Sequence, residues 1–167
     1  MFDKFGEFNS FEEINTAAAN QLKEGDVNAI KEIAEENGLD PMDAEDFIAG
    51  DISELCNALT AALGKLQVET KDLGIDALML DWVSYIEGLC TDNKECALAV
   101  RRKDKSLAGV IGEILKESWK VQFEVDKRII EAAGITNKAG KITFGIPEEA
   151  RVREIIKEYY LGGNADE

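Results

Sequence analysis

Ten carboxylates, Asp26, Glu32, Glu35, Glu36, Asp40, Asp43, Glu45, Asp46, Asp51 and Glu54, stand in one stretch of the chain with a single cation, Lys31, among them. Carboxylates at this density can pair as general acid and base, chelate a hard cation, or present a negative field to a cationic partner. Acid–base work needs a defined pair, and any two of the chain's 34 acids could meet, so spacing singles out no catalytic residue. Calcium needs alternating oxygen ligands around a central glycine, closed by a glutamate. Asp40, Asp43, Glu45 and Asp46 lie close together but lack that order, so no metal site is expected. The negative field remains.

Other chemistries lack their residues. The chain has no histidine, which removes the Ser-His-Asp and Cys-His nucleophile arrangements and the H-E-x-x-H zinc site. Cys56, Cys90 and Cys96 are odd in number, widely spaced and without a C-x-x-C pair, so they read as buried reduced thiols. Neither G-x-G-x-x-G nor G-x-x-x-x-G-K-[ST] occurs, which removes those routes to nucleotide binding. The expectation is a non-enzymatic protein with no cofactor and no small-molecule substrate.

Charge is distributed unevenly along the 167 residues. Residues 1–54 hold 15 acids and 3 bases, net −12; 55–100 carry net −4 and 101–167 net +1. The strongest cationic feature is the run Arg101, Arg102, Lys103 and Lys105, expected to lie solvated at a helix end, where it complements the dipole. Met1–Phe8 has one lysine and no long apolar run, and no stretch is apolar enough to span a bilayer. A chain of net charge −15 is also repelled by anionic lipid and phosphate, so a cytoplasmic protein without a membrane partner is expected.

The elements that must position these groups read as helices. Ser10 and Glu13 fit a capping box ahead of Phe11, Ile14, Ala18 and Leu22, and Gly25 ends the run. Asp26 opens a helix with Val27, Ile30, Ile33 and Ala34 on one face, and Asp40-Pro41 opens another that stops at Gly50. A fourth is predicted from Ile52 through Leu55, Cys56 and Leu59 to Leu66. Further helices follow over Ile75–Leu89, Lys94–Arg102 and Leu107–Trp119, then from Asp126 to Gly134 and from Pro147 onward. Lys141–Phe144 is β-prone and Asn137–Gly140 turn-forming, which predicts a small ribbon within 135–146. Trp82, Tyr85, Trp119, Tyr159 and Tyr160 fall on apolar faces and are assigned to the core. The fold class is nearly all-α, a bundle of eight or nine short helices. An acidic subdomain is expected over 1–66, a second helical subdomain over 74–161 and a frayed tail over 162–167.

Lys105-Ser106-Leu107 opens a helix with Ile111, Ile114 and Leu115, Val125-Asp126 opens another, and Tyr159-Tyr160 stands near the end. In these residues, from about Lys94 onward, the chain resembles the PcfK-like proteins of Gram-positive conjugative elements. The resemblance implies a mobile-element setting and carries no particular activity. In charge and size, though not in motif, the chain also resembles acidic anti-CRISPR and anti-restriction inhibitors. The expectation is therefore an inhibitor that presents an acidic, nucleic-acid-mimicking surface to the basic groove of a CRISPR effector or other defence nuclease. The alternative is an accessory DNA-processing or conjugative-transfer protein that contacts nucleic acid through Arg101, Arg102, Lys103 and Lys105.

Overall fold

Capping side chains set most of the helix boundaries. A computed structural model describes residues 2–135 and 141–162. Its helices are α1 (Phe11–Glu24), α2 (Val27–Glu36), α3 (Pro41–Ala49), α4 (Ala58–Asp72), α5 (Leu78–Asp92), α6 (Lys94–Arg101), α7 (Leu107–Lys120), α8 (Lys127–Ala132) and α9 (Glu149–Leu161). One antiparallel ribbon joins β1 (Phe123–Glu124) to β2 (Thr143–Phe144). The nearly all-α architecture expected from the sequence is the one observed. Ser10, Asp26, Asp40 and Ser106 each accept a backbone N–H at the start of their helix, and Pro41 occupies the first turn of α3.

Three elements differ from expectation. The fourth helix begins at Ala58, not Ile52, because the Asn57 and Thr60 side chains cap each other's backbone N–H, both at 3.0 Å. Leu55 and Cys56 are still buried, but in a loop tied to α1 by Asn15, which bonds the Cys56 N–H at 3.0 Å and its carbonyl at 2.9 Å. The ribbon keeps Thr143 and Phe144, but their partners lie upstream: Phe123 faces Phe144 and Glu124 faces Thr143. The turn expected at Asn137–Gly140 lies outside the described residues, as do residues 163–167 of the expected tail. Trp119 is the third: it is exposed, not packed in the core.

Two apolar clusters form. Ile14, Ile30, Ile33, Phe47 and Leu55 anchor one between α1, α2 and α3; Leu66, Ile86, Val100, Leu107, Ile114 and Ile156 anchor the other among α4, α5, α6, α7 and α9. Each such side chain contributes about 1.5–3 kcal/mol when fully buried. Helix α4 serves both, with Ala61 in the first cluster and Ala58, Ala62 and Leu66 in the second. It runs unbroken across residue 66, where the acidic subdomain was expected to end. No helix among the described residues is long and apolar enough to cross a membrane.

The turn after α2 meets α4 backbone to backbone. A Cβ added at Gly64 would overlap the Asn37 carbonyl, and one at Gly38, whose φ is 65°, would overlap Gly64 itself. Gly64→Ala should therefore cost about 2–4 kcal/mol in urea denaturation followed by circular dichroism. Gly112→Ala, in α7 with open space at its Cβ position, should instead stabilise by about 0.5–1 kcal/mol. Equal effects at the two sites would contradict the close approach.

Candidate partner-binding surface

The acidic helices are fixed by a buried polar junction built on α4 and α6. Asn37, at the end of α2, is fully buried; its amide donates to the Ile33 carbonyl at 2.8 Å, and its Oδ1 accepts from Arg101 Nη2 at 2.6 Å. Lys65 is also buried, and its ammonium finds three close acceptors: the Arg102 carbonyl at 2.6 Å, the Lys105 carbonyl at 2.7 Å and the Glu7 carboxylate at 2.6 Å. One turn on, Glu69 lies 3.7 Å from Lys65 and accepts the Leu107 N–H at 2.6 Å, at the start of α7. Two buried cations thus sit beneath the acidic third of the chain. Burial pulls the Arg101 guanidinium below its usual range, while Glu7, Glu69 and Glu13 support its charge.

Above this junction the ten carboxylates divide by what they touch. Asp26 and Asp40 cap α2 and α3. Glu32 pairs with Lys4, and Glu36 takes the N–H groups of Lys4 at 2.7 Å and Phe5 at 3.1 Å, which lays the N-terminal segment along α2. Glu45 and Lys31 make an exposed pair at 3.5 Å. Glu35, Asp43, Asp46, Asp51 and Glu54 have no side-chain partner among the described residues, and Glu35, Asp51 and Glu54 are exposed. Asp43 and Glu54 help to raise the Cys56 thiol, and Asp26, Glu32 and Glu36 help to raise the Lys4 ammonium.

A groove of about 710 Å³ opens between the N-terminal segment, α2 and α4. Glu32, Glu35 and Glu36 line it with Asp3 and Asp72, against Lys4 and Lys71. Asp3 and Asp72 escape a sequence reading because they fall outside the dense stretch and join it only through the fold.

The basic run is split: Arg101 is turned inward and Lys105 is half-buried, whereas Arg102 and Lys103 are exposed as expected. Arg101 is not a solvated cation: it lies on the buried side of α6, four residues after Ala97, and its guanidinium enters the junction. Lys105 donates to the Tyr159 carbonyl at 2.6 Å and stands 4.8 Å from that ring, and Arg102 pairs with its neighbour Asp104 at 2.8 Å. Only the Lys103 side chain, of these four, is exposed with no partner among the described residues.

The remaining reactive groups are sequestered. All three cysteines are free and buried; burial pushes the Cys56 thiol up to about 12, and Cys90 is raised by the neighbouring Cys96 sulfur and by burial. Among the described residues, no three His, Cys, Asp or Glu side chains are grouped to hold a metal ion. No family model, curated protein or solved structure matches the chain.

Burial is the largest influence on Glu69 and raises its carboxyl above the usual value of 4.5, against the lowering effects of the Leu107 N–H and Lys65. A carboxyl raised in the fold weakens it at neutral pH, and that loss is recovered as pH falls through the folded value toward 4.5. Relative to Glu69→Gln, the unmutated protein should therefore gain stability between pH 7 and pH 5 in urea denaturation. A relative loss over that window would mean that the pairing with Lys65 outweighs burial.

Proposed function

We propose that the protein is a non-enzymatic inhibitor that docks its acidic helices in the cationic nucleic-acid groove of a bacterial defence nuclease, of the CRISPR-effector or restriction type. The observation that carries this reading is the set of five carboxylates without partners among the described residues: Glu35, Asp43 and Asp46 on the capped helices α2 and α3, and Asp51 and Glu54 in the loop before α4. Fixed charges lose little freedom on docking, so more of their attraction appears as affinity. Neutralising a carboxylate surface with the chain's own cations would defeat such a role. Here two of the ten, Glu32 and Glu45, pair with the chain's own Lys4 and Lys31, while Arg101 and Lys65 are consumed inside and Lys105 is held by Tyr159. A mobile-element setting, as the PcfK-like resemblance implies, is where an inhibitor of this kind would be selected.

The test is displacement of a fluorescent DNA duplex from purified guide-loaded Cas9-type and restriction nucleases. The protein should displace DNA from at least one of them, and its affinity should fall steeply between about 50 and 200 mM salt, because the attraction is largely between exposed charges. Reversal of Glu35, Asp43, Asp46 and Glu54 to lysine should abolish displacement while leaving the helical circular dichroism intact. Displacement that survives the reversal or ignores salt, or no displacement from any of these nucleases, would contradict the reading.

A further inference from the structure

One end of the molecule carries an apolar surface that neither core uses. Trp119, Phe123, Ile129, Ile135, Phe144 and Ile146 are between 48% and 73% exposed. They belong to one local assembly. The Phe123 and Phe144 rings meet edge to face at 6.1 Å across the ribbon, and a Cβ on Gly145 would lie 2.7 Å from the Ser118 carbonyl, so β2 folds against the last turn of α7 beside Trp119. Helix α8 follows β1 after two residues, buries none of its own side chains, and ends in a turn where the Ile135 N–H bonds the Ile130 carbonyl at 3.3 Å.

We propose that this face is a two-fold contact between two copies of the chain. Its size approaches what is needed: at about 150–250 Å² per fully exposed aromatic side chain, Trp119, Phe123 and Phe144 alone present roughly 300–450 Å², and the three isoleucines add to it. A stable interface uses about 800 Å² per partner, whereas a monomer rarely exposes an apolar patch beyond a few hundred. Its charge argues against the other large partners. Among the described residues each nearby cation is matched by an adjacent acid, Lys120 with Glu117 at 3.0 Å, Lys141 with Glu124 at 2.8 Å, Arg128 with Asp126 at 3.0 Å and Lys127 with Glu131 at 3.6 Å. Phosphate or anionic lipid would need cations not already matched in this way.

A second copy is the partner for which this local neutrality matters most. The chain as a whole carries −15, of which −12 belongs to residues 1–54, packed in the other core. Contact through the neutral end brings apolar surface together while the acidic helices stay away from the interface. A ribbon of only two strands also leaves its outer edges open, and pairing them across a two-fold axis is the ordinary way such edges are covered. The dimer would present two acidic surfaces, but its existence does not depend on what they bind.

Sedimentation equilibrium of the full chain over roughly 1 to 100 µM tests this. The expected result is a species of twice the 18.4 kDa chain mass that tightens from 50 to 500 mM salt, because salt screens the repulsion and leaves the apolar contact intact. Trp119→Glu combined with Phe123→Asp should shift the mass to that of one chain with unchanged helical circular dichroism. Ile129→Asp, on a helix with no buried residue, should do the same without relying on the ribbon. Met42→Asp, exposed on α3, should leave the dimer intact. A single-chain mass at every concentration, a dimer weakened by salt, or a dimer indifferent to both patch variants would overturn the proposal. So would a monomer that binds a thymidine oligonucleotide or an anionic phospholipid vesicle through Trp119.

Discussion

The contact between Asn37 and Arg101, seated where the α2–α3 turn presses on Gly64, is the constraint on which the rest of the structure depends. Residues 1–54 carry net −12, and helices so charged repel one another. Their own apolar cluster is small, so the junction adds what that cluster lacks: a buried positive charge at the negative end of α2's dipole. Burying a guanidinium is costly in itself. Asn37 takes one of its N–H groups and ties α6 to the acidic helices, and the fields of Glu7, Glu69 and Glu13 offset part of that cost. Burial still prevails, and Nε and Nη1 are buried without a hydrogen-bond partner among the described residues. Removing one partner of such a buried set costs about 3–5 kcal/mol because the others are left uncompensated.

The same arrangement explains the asymmetry of the surface. Cations that could neutralise the first third face inward, Lys65 to the carbonyls of the α6–α7 turn and Arg101 to Asn37. The carboxylates near them divide the labour: Glu36 and Glu32 hold the N-terminal segment, Asp26 and Asp40 cap helices, Glu45 pairs with Lys31, and Glu35, Asp51 and Glu54 are exposed. At the far end the balance is local, with each ribbon cation beside its own acid and aromatic rings left uncovered. An acid-rich first third and a locally neutral apolar patch thus belong to one chain.

Much of this was legible in the sequence wherever a side chain acts on its own backbone. Asp26, Asp40-Pro41, Ser106 and Gly50 mark ends that the structure keeps. The fourth helix was misplaced because Ile52, Leu55 and Cys56 continue its apolar stripe, and the Asn57–Thr60 box overrides a stripe by satisfying the first free N–H groups. Strand β1 is two exposed residues, too short to show a period, so its pairing with β2 emerges only from tertiary contact. The buried row of α7 runs Leu107, Val110, Ile111 and Ile114, and the next position on it is Ser118, which leaves Trp119 about 100° round the helix. Arg101 and Lys65 carried a usable signal: each stands four residues after a buried alanine, Ala97 and Ala61, on the inner face. What composition could not reveal is that they would be joined across separate elements, since no local pattern encodes a contact between residues 37 and 101.

The junction should make the acidic helices and the helical body one cooperative unit. Native-state hydrogen exchange reads it directly. In the unmutated protein the slowest amides of α2 and of α6 should open at the same free energy, and Arg101→Met should lower protection across α1–α3 while α7 and α9 keep theirs. If α1–α3 already opened well below α4–α9 in the unmutated protein, or if Arg101→Met lowered both by the same amount, the junction would not be what holds the acidic surface in place.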